Sequence, residues 1–202
     1  MEKLLLTIYM ASAIEHSKEV CSGKKEDWKV EVKEQLKNPL IGIYDPVARE
    51  SQKTGKQSGE QVNYITRLKQ GGAWAQFHKE MGLIWWGDIK ADTDKIQIMI
   101  ALRNRFLIDG NEMRDLNFWA DIEAVIRSNF IFVYMEKNVK TVGTIREITY
   151  AELFNIPIYL ILPDQTKTDA NSTLIDMTIK SGGQIFYSTK DALKFVKERY
   201  NI

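Results

Sequence analysis

Gly143 and Thr144 stand four and three positions before Glu147. At the start of a helix that follows a strand, this spacing has chemical consequences. Gly143 lets the backbone approach a sugar or phosphate closely. The first amides of the helix offer free N–H donors. Glu147, one turn in, points back along the helix into the same cleft, because helical side chains tilt toward the N-terminus. A carboxylate held there can act as a nucleophile or exchange a proton with a reacting group. Taken alone, Glu147 reads more simply as an exposed helical carboxylate paired with a basic neighbour. The chain has no Ser-His-Asp set and no Cys-His pair, so carboxylates and a tyrosine are the groups left for chemistry.

Alternating strands and helices must position these groups. Leu4–Met10 is a short apolar run with a small-residue exit at Ala11-Ser12-Ala13, the pattern of a buried strand. Leu40–Tyr44, Phe130–Met135, Pro157–Leu162 and Gln184–Phe186 read as further strands. Phe130–Met135 is the clearest, rich in β-branched and aromatic residues. Trp28, Val32 and Leu36 at spacing four mark one apolar stripe on a charged helix over 24–37. Helices are predicted over 62–69, 74–86, 92–107, 112–127, 143–154, 172–180 and 190–200. Ile96-Gln97-Ile98-Met99-Ile100 also fits a strand. Glu50–Glu60 is polar, carries Gly55 and Gly59, and reads as a surface loop. Its Gly55-Lys56 pair lacks the glycine and Ser/Thr that a P-loop needs. Strands alternating with helices imply βαβ units. The expected fold is α/β: a doubly wound, mainly parallel five-stranded sheet, Rossmann- or flavodoxin-like. A single domain over 1–202 carries it, with a helical insertion at about 50–115.

In such a sheet, ligands bind at the carboxyl ends of the strands. Tyr9, Ala11, Ser12, Glu15 and His16 follow the first strand, and Asp45 and Arg49 the second. Glu136, Thr141, Gly143, Thr144 and Glu147 follow the third, and Asp164 and Gln165 the fourth. Tyr9 equally fits a core tyrosine. Asp121 has apolar neighbours in Phe118, Trp119 and Ile122, and burial there raises a carboxyl pKa; it also fits a solvated helix carboxylate. Asp88, after Trp85-Trp86-Gly87, is its rival. Adjacent helical residues do not share a side, so one of Trp85 and Trp86 is expected to face the cleft or an interface. Arg146 is rotated about 100° from Glu147 and is expected to face solvent or a neighbouring subunit.

Ile8-Tyr9-Met10-Ala11, then Asp121 ahead of Ser128-Asn129, then Gly143-Thr144 with Glu147 and Ala151 resemble the nucleoside 2-deoxyribosyltransferase superfamily, which includes the 2′-deoxynucleoside 5′-monophosphate N-glycosidases. The resemblance covers the first strand and helix and the stretch from Asp121 to Pro163, and leaves 50–116 outside it. It implies double displacement at the anomeric carbon of a deoxyribose through a covalent glycosyl-enzyme. It makes Glu147 the nucleophile, Tyr9 the phenol that hydrogen-bonds it, and Asp121 the acid that protonates the leaving base. Ala11, Ser12, His16, Asp45, Asp88, Gly143 and Thr144 are the expected substrate-binding positions. Ser12, Ser128 and Arg49 also make a 5′-monophosphate possible. Two positions depart from the family: Thr141 stands where its transferases carry a sugar-binding aspartate, and Asn129 where many members have Asp. Two other readings stay open, a non-catalytic nucleotide-sensing module on the same fold and a glycosidase of another nucleotide. The resemblance also implies a homo-oligomer, since family sites are often completed by a neighbouring chain.

Composition limits the partners. Lys and Arg total 28 against 27 Asp and Glu, a net charge of +1, which argues against a dedicated nucleic-acid binder. Hydrophobic residues at 44% and charged residues at 27% make a globular mix that can bury a sizeable core. Cys21 is the only cysteine, so neither an intrachain disulfide nor a thiolate zinc cluster can form. The first apolar run is too short to span a bilayer and lacks the marks of a secretory peptide. A cytoplasmic protein acting on a small nucleoside or nucleotide is expected, with no cofactor, metal, membrane or nucleic-acid polymer.

Overall fold

A computed structural model describes residues 3–12, 27–49, 58–87, 94–117, 120–137, 142–163, 165 and 171–202. Five strands form one sheet: β1 (Leu6–Ser12), β2 (Ile41–Tyr44), β3 (Phe130–Tyr134), β4 (Ile158–Ile161) and β5 (Gln184–Phe186). All pairs are parallel and the order is β2-β1-β3-β4-β5. This is the flavodoxin-like doubly wound arrangement, with its reversal of strand order between β1 and β3.

The strands are apolar on both faces because both faces are covered. Leu6, Ile8 and Met10 of β1 join Ile41, Phe130, Phe132, Tyr159 and Ile161 on one face. That face is closed by Trp28, Val32 and Leu36, from helix α1 (Asp27–Gln35) and the turn after it, and by Ala192, Leu193 and Val196 of the C-terminal helix (Thr189–Tyr200). Tyr9, Ala11, Tyr44, Ile131, Val133, Ile158 and Leu160 point to the other face. Ala124, Val125, Ile148, Ala151 and Leu174 cover them. The apolar stripe at spacing four in α1 is thus a core stripe.

Between β2 and β3 lie α2 (Ser58–Gln70), α3 (Trp74–Trp86), α4 (Lys95–Asp109), a 3-10 turn (Met113–Asn117) and α5 (Asp121–Ile126). Then come α6 (Val142–Leu153), α7 (Ser172–Lys180) and the C-terminal α8. Met99, Ile122 and Ile126 form a separate apolar cluster with Trp85, Trp86, Leu102, Tyr150 and Phe154, which docks α3 and α4 on α5 and α6. Ile96–Ile100 is helical rather than extended. The Asp94 carboxylate caps α4 by accepting from the Ile96 and Gln97 amides, both at 3.1 Å, and the chain leaves at Gly110 with φ +67°.

Two elements differ from expectation. The first strand starts at Leu6 and runs on through Ser12. The helix expected over 112–127 is divided into the 3-10 turn and the short α5. In the turn, the Asp115 carboxylate accepts from the Glu112 amide at 2.9 Å, while Leu116 drops into the core. Asn111 pins this region to the sheet, donating to Thr7 Oγ1 at 2.9 Å and to the Arg127 carbonyl at 2.8 Å. The break places Asp121 in the first turn of a helix instead of its middle.

Candidate active site

Glu147 lies on the inner face of α6 with Thr144, Ile148 and Ala151, all buried. Its Oε1 accepts a 2.6 Å hydrogen bond from the Tyr9 hydroxyl of β1, 138 positions away in sequence. Burial raises the Glu147 pKa from the ordinary 4.5 to about 8. The Tyr9 hydrogen bond pulls against that rise, the nearby Asp121 charge adds to it, and the Lys29 ammonium opposes it. Burial and the adjacent carboxyl push the Tyr9 phenol well above its ordinary value, so it stays a neutral donor. Among the described residues neither Glu147 Oε2 nor Thr144 Oγ1 has a hydrogen-bond partner, although both atoms are buried. Buried polar atoms are nearly always satisfied, so two orphans on one helix face mark a place built for something else.

A second tyrosine and carboxyl stand beside the first pair. The Tyr44 hydroxyl donates to Asp121 Oδ1 at 3.1 Å, in a buried setting. Tyr44 is the register partner of Tyr9 on the neighbouring parallel strand, and the two rings stack with centroids 5.3 Å apart. Burial, and then the Asp121 charge, push the Tyr44 phenol far above its ordinary value. Tyr44 was not among the expected site residues. It carried a signal nonetheless, as a strand-terminal tyrosine facing the same side as Tyr9.

Of the other expected positions, Ala11 is buried on the same face as Tyr9, and Ser12 is half-buried at the end of β1. Gly143 is exposed at the start of α6, and a Cβ there would lie 3.7 Å from the Trp85 ring. His16, Asp88, Thr141 and Asp164 lie outside the described residues, as do Glu15, Phe118 and Trp119. Asp45 follows β2 directly, but its two oxygens are engaged by Lys29 at 2.8 Å and Lys33 at 2.7 Å. Burial pushes its carboxyl up, and the two ammonium groups outweigh that and hold it below the ordinary range. Asp45 is therefore an anchor for α1 rather than an open ligand for substrate.

Three further expectations are corrected. Arg146 does not face solvent alone: its guanidinium lies 4.6 Å from the centre of the Trp85 ring and 5.3 Å from that of Trp86. The adjacent tryptophans both turn toward α6, Trp86 meeting Tyr150 edge-on at 6.0 Å. Ser128 spends its hydroxyl on the Ala124 carbonyl at 2.7 Å, so it is not a phosphate ligand. Asn129, where the family often has Asp, joins β3 to β1: its Oδ1 accepts from the Thr7 amide at 2.7 Å.

Among the described residues no three His, Cys, Asp or Glu side chains gather as a metal site, and no helix is long and apolar enough to cross a membrane. No protein-family model matches the chain, and no curated protein resembles it closely enough to serve as a relative.

Proposed function

We propose that this protein breaks or transfers the N-glycosidic bond of a 2′-deoxynucleoside or its 5′-monophosphate, with Glu147 as nucleophile. One observation carries the reading: a buried carboxyl held by Tyr9 through one oxygen, with its second oxygen unpartnered. The held oxygen fixes the rotamer, and the other can reach an electrophilic carbon. Tyr9 is on β1, which pairs with β3 at the point where the strand order reverses, the part of a doubly wound sheet near which ligands bind.

The chemistry follows from these groups. Ionised Glu147 attacks the anomeric carbon through Oε2. The carbon–nitrogen bond breaks, and its electron pair leaves with the base. Asp121, held by Tyr44 on the adjoining strand, supplies the proton to the departing nitrogen. The sugar is then an ester of Glu147. A water or a second free base attacks the same carbon and releases the carboxylate, and the attacking group's proton returns to Asp121. Water gives hydrolysis and a base gives transfer. Tyr9 stabilises the carboxylate form that both begins and ends the cycle.

The test is incubation of the purified chain with a panel of 2′-deoxynucleosides and their 5′-monophosphates, with and without a second free base. Base release is followed by chromatography, with Glu147→Ala alongside. Release or exchange lost in the variant is expected. No turnover of any panel member by the folded wild type, with equal nucleotide binding by wild type and variant, would favour a sensing module instead.

A further inference from the structure

Among the described residues the Thr144 hydroxyl has no hydrogen-bond partner. Helical threonine and serine hydroxyls usually donate to the carbonyl one turn back. In this protein Thr149 donates to the Ile145 carbonyl at 2.8 Å, Thr178 to Leu174 at 2.7 Å and Ser128 to Ala124 at 2.7 Å. Thr144 is the third residue of α6, and the position four residues earlier lies outside the described residues. Thr144 is 2% exposed, and its buried Oγ1 meets neither open solvent nor a partner among the described residues. A buried hydroxyl left without a bond destabilises a fold. A valine would fill the same volume without that penalty.

Thr144 and Glu147 are neighbours on one face, three positions apart, a spacing that sets their Cβ atoms about 5–6 Å from each other. The two orphaned atoms, Thr144 Oγ1 and Glu147 Oε2, thus belong to residues on one buried face of α6. We propose that Thr144 is a specificity-determining residue whose hydroxyl hydrogen-bonds the 3′-hydroxyl of the sugar attacked by Glu147, an assignment that rests on the glycosyl-transfer reading above. The 3′-hydroxyl is the hydroxyl that a 2′-deoxynucleoside and its 5′-monophosphate share. It is carried by C3′, two ring bonds from the reacting carbon, a separation within the span of one helical turn. A threonine hydroxyl both donates and accepts, so it can serve a sugar hydroxyl in either sense. The bond costs no ordering of a long side chain, because packing has already fixed the threonine.

The experiment compares wild type, Thr144→Val and Thr144→Ser on three substrates with the same base: the 2′-deoxynucleoside, its 2′,3′-dideoxy analogue and its 2′,5′-dideoxy analogue. Wild type is expected to favour the first over the 2′,3′-dideoxy compound by about tenfold or more in kcat/KM. Thr144→Val brings that ratio near one by losing activity only on the two substrates that carry the 3′-hydroxyl, the 2′-deoxynucleoside and its 2′,5′-dideoxy analogue, while Thr144→Ser keeps it. In the absence of substrate, Thr144→Val raises Tm, because the orphaned hydroxyl is gone. Equal loss on all three substrates, or no loss, overturns the assignment. So does a ratio that changes only against the 2′,5′-dideoxy compound, which would place the 5′-hydroxyl there instead. If wild type turns over none of them, the glycosyl reading fails for nucleosides, and the same three ratios are read from calorimetric affinities. A 3′-hydroxyl preference in binding that Thr144→Val abolishes then supports the contact on its own, and its absence removes it.

Discussion

Tyr9 and Tyr44 stack with ring planes 14° from parallel, and the two phenols hold two different buried carboxyls, Glu147 and Asp121. The stack follows from register: the residues are partners on adjacent parallel strands, whose spacing of about 4.8 Å sets the distance between the rings. The offset between Glu147 and Asp121, the proposed nucleophile and acid, is thus tied through their tyrosines to the register of the sheet. A site built on strands holds its geometry better than one built on loops.

Tyr9→Phe keeps the stack and removes the bond to Glu147. That bond is what draws the carboxyl back from the full effect of burial, so its loss moves the Glu147 pKa above its present value of about 8. The reacting form is the carboxylate, so the acidic limb of the pH–rate profile shifts to higher pH. At neutral pH, kcat/KM is expected to fall on the order of tenfold to a hundredfold, and the deficit narrows as pH rises. A profile measured from pH 6 to 10 on both proteins checks this. A limb that stays in place removes Tyr9 from the reacting group.

Glu147→Gln tests the same carboxyl through stability. Its pKa is raised on folding, from 4.5 to about 8. The folded state thus binds a proton that the unfolded state has released over that window. The stabilisation is complete below about pH 4.5 and is lost as pH rises through about 8, a decline of several kcal/mol at this group. Glutamine stays neutral throughout, accepts from Tyr9 through its carbonyl and shows no such decline. Urea melts at pH 5 and pH 9 should give wild type and variant nearly equal stability at the lower pH. The variant should be the more stable at the higher one, and also inactive. Parallel pH dependence in the two proteins would contradict a buried, titrating Glu147.

Tyr44→Phe isolates the acid. It retains the ring that packs on Tyr9 and removes the 3.1 Å bond to Asp121. Asp121 should then deliver its proton less well, and the cost should grow with the basicity of the departing nitrogen. For an ordinary purine, kcat is expected to drop by about tenfold with KM little changed. For a base already positively charged by N7-methylation, which leaves without a proton, the drop should be slight. Equal losses on both substrates would make Tyr44 a packing residue only.

The fold was readable because strand and helix leave different periodicities. Phe130–Met135 and the spacing of Trp28, Val32 and Leu36 state their own environment. Glu112–Arg127 did not, because helical spacing survives a break. Asp115 accepts from the Glu112 amide within the turn and Leu116 packs into the sheet core, and that packing with residues distant in sequence is what no helical spacing shows. Glu147 and Tyr9 stood out as groups expected just after strands, although Tyr9 proves to sit in the middle of β1. Tyr44 did not, because its role depends on parallel register between β1 and β2, which no local pattern encodes. Asp45 looked like a ligand until Lys29 and Lys33, on a helix 12 to 16 positions away, proved to hold it.

Arg146 tests whether the helices between β2 and β3 support the site. Its guanidinium stacks on Trp85 and Trp86 at the end of α3, while its neighbour Glu147 faces inward. Two such contacts, each about 0.5–1 kcal/mol where partly exposed, fasten α3 to the helix that carries the nucleophile. Arg146→Ala should lower stability by about 1–2 kcal/mol. Hydrogen exchange should quicken in α3 ahead of the sheet, since the contact is local to that docking. Arg146→Lys should recover part of the loss, because an ammonium keeps the attraction to the ring and gives up the planar stacking. Activity should fall through KM more than kcat, as the first turn of α6 loosens around Thr144 while the Tyr9–Glu147 bond persists. Unchanged exchange in α3 would mean that the apolar cluster of Met99, Ile122 and Ile126 docks these helices without the arginine.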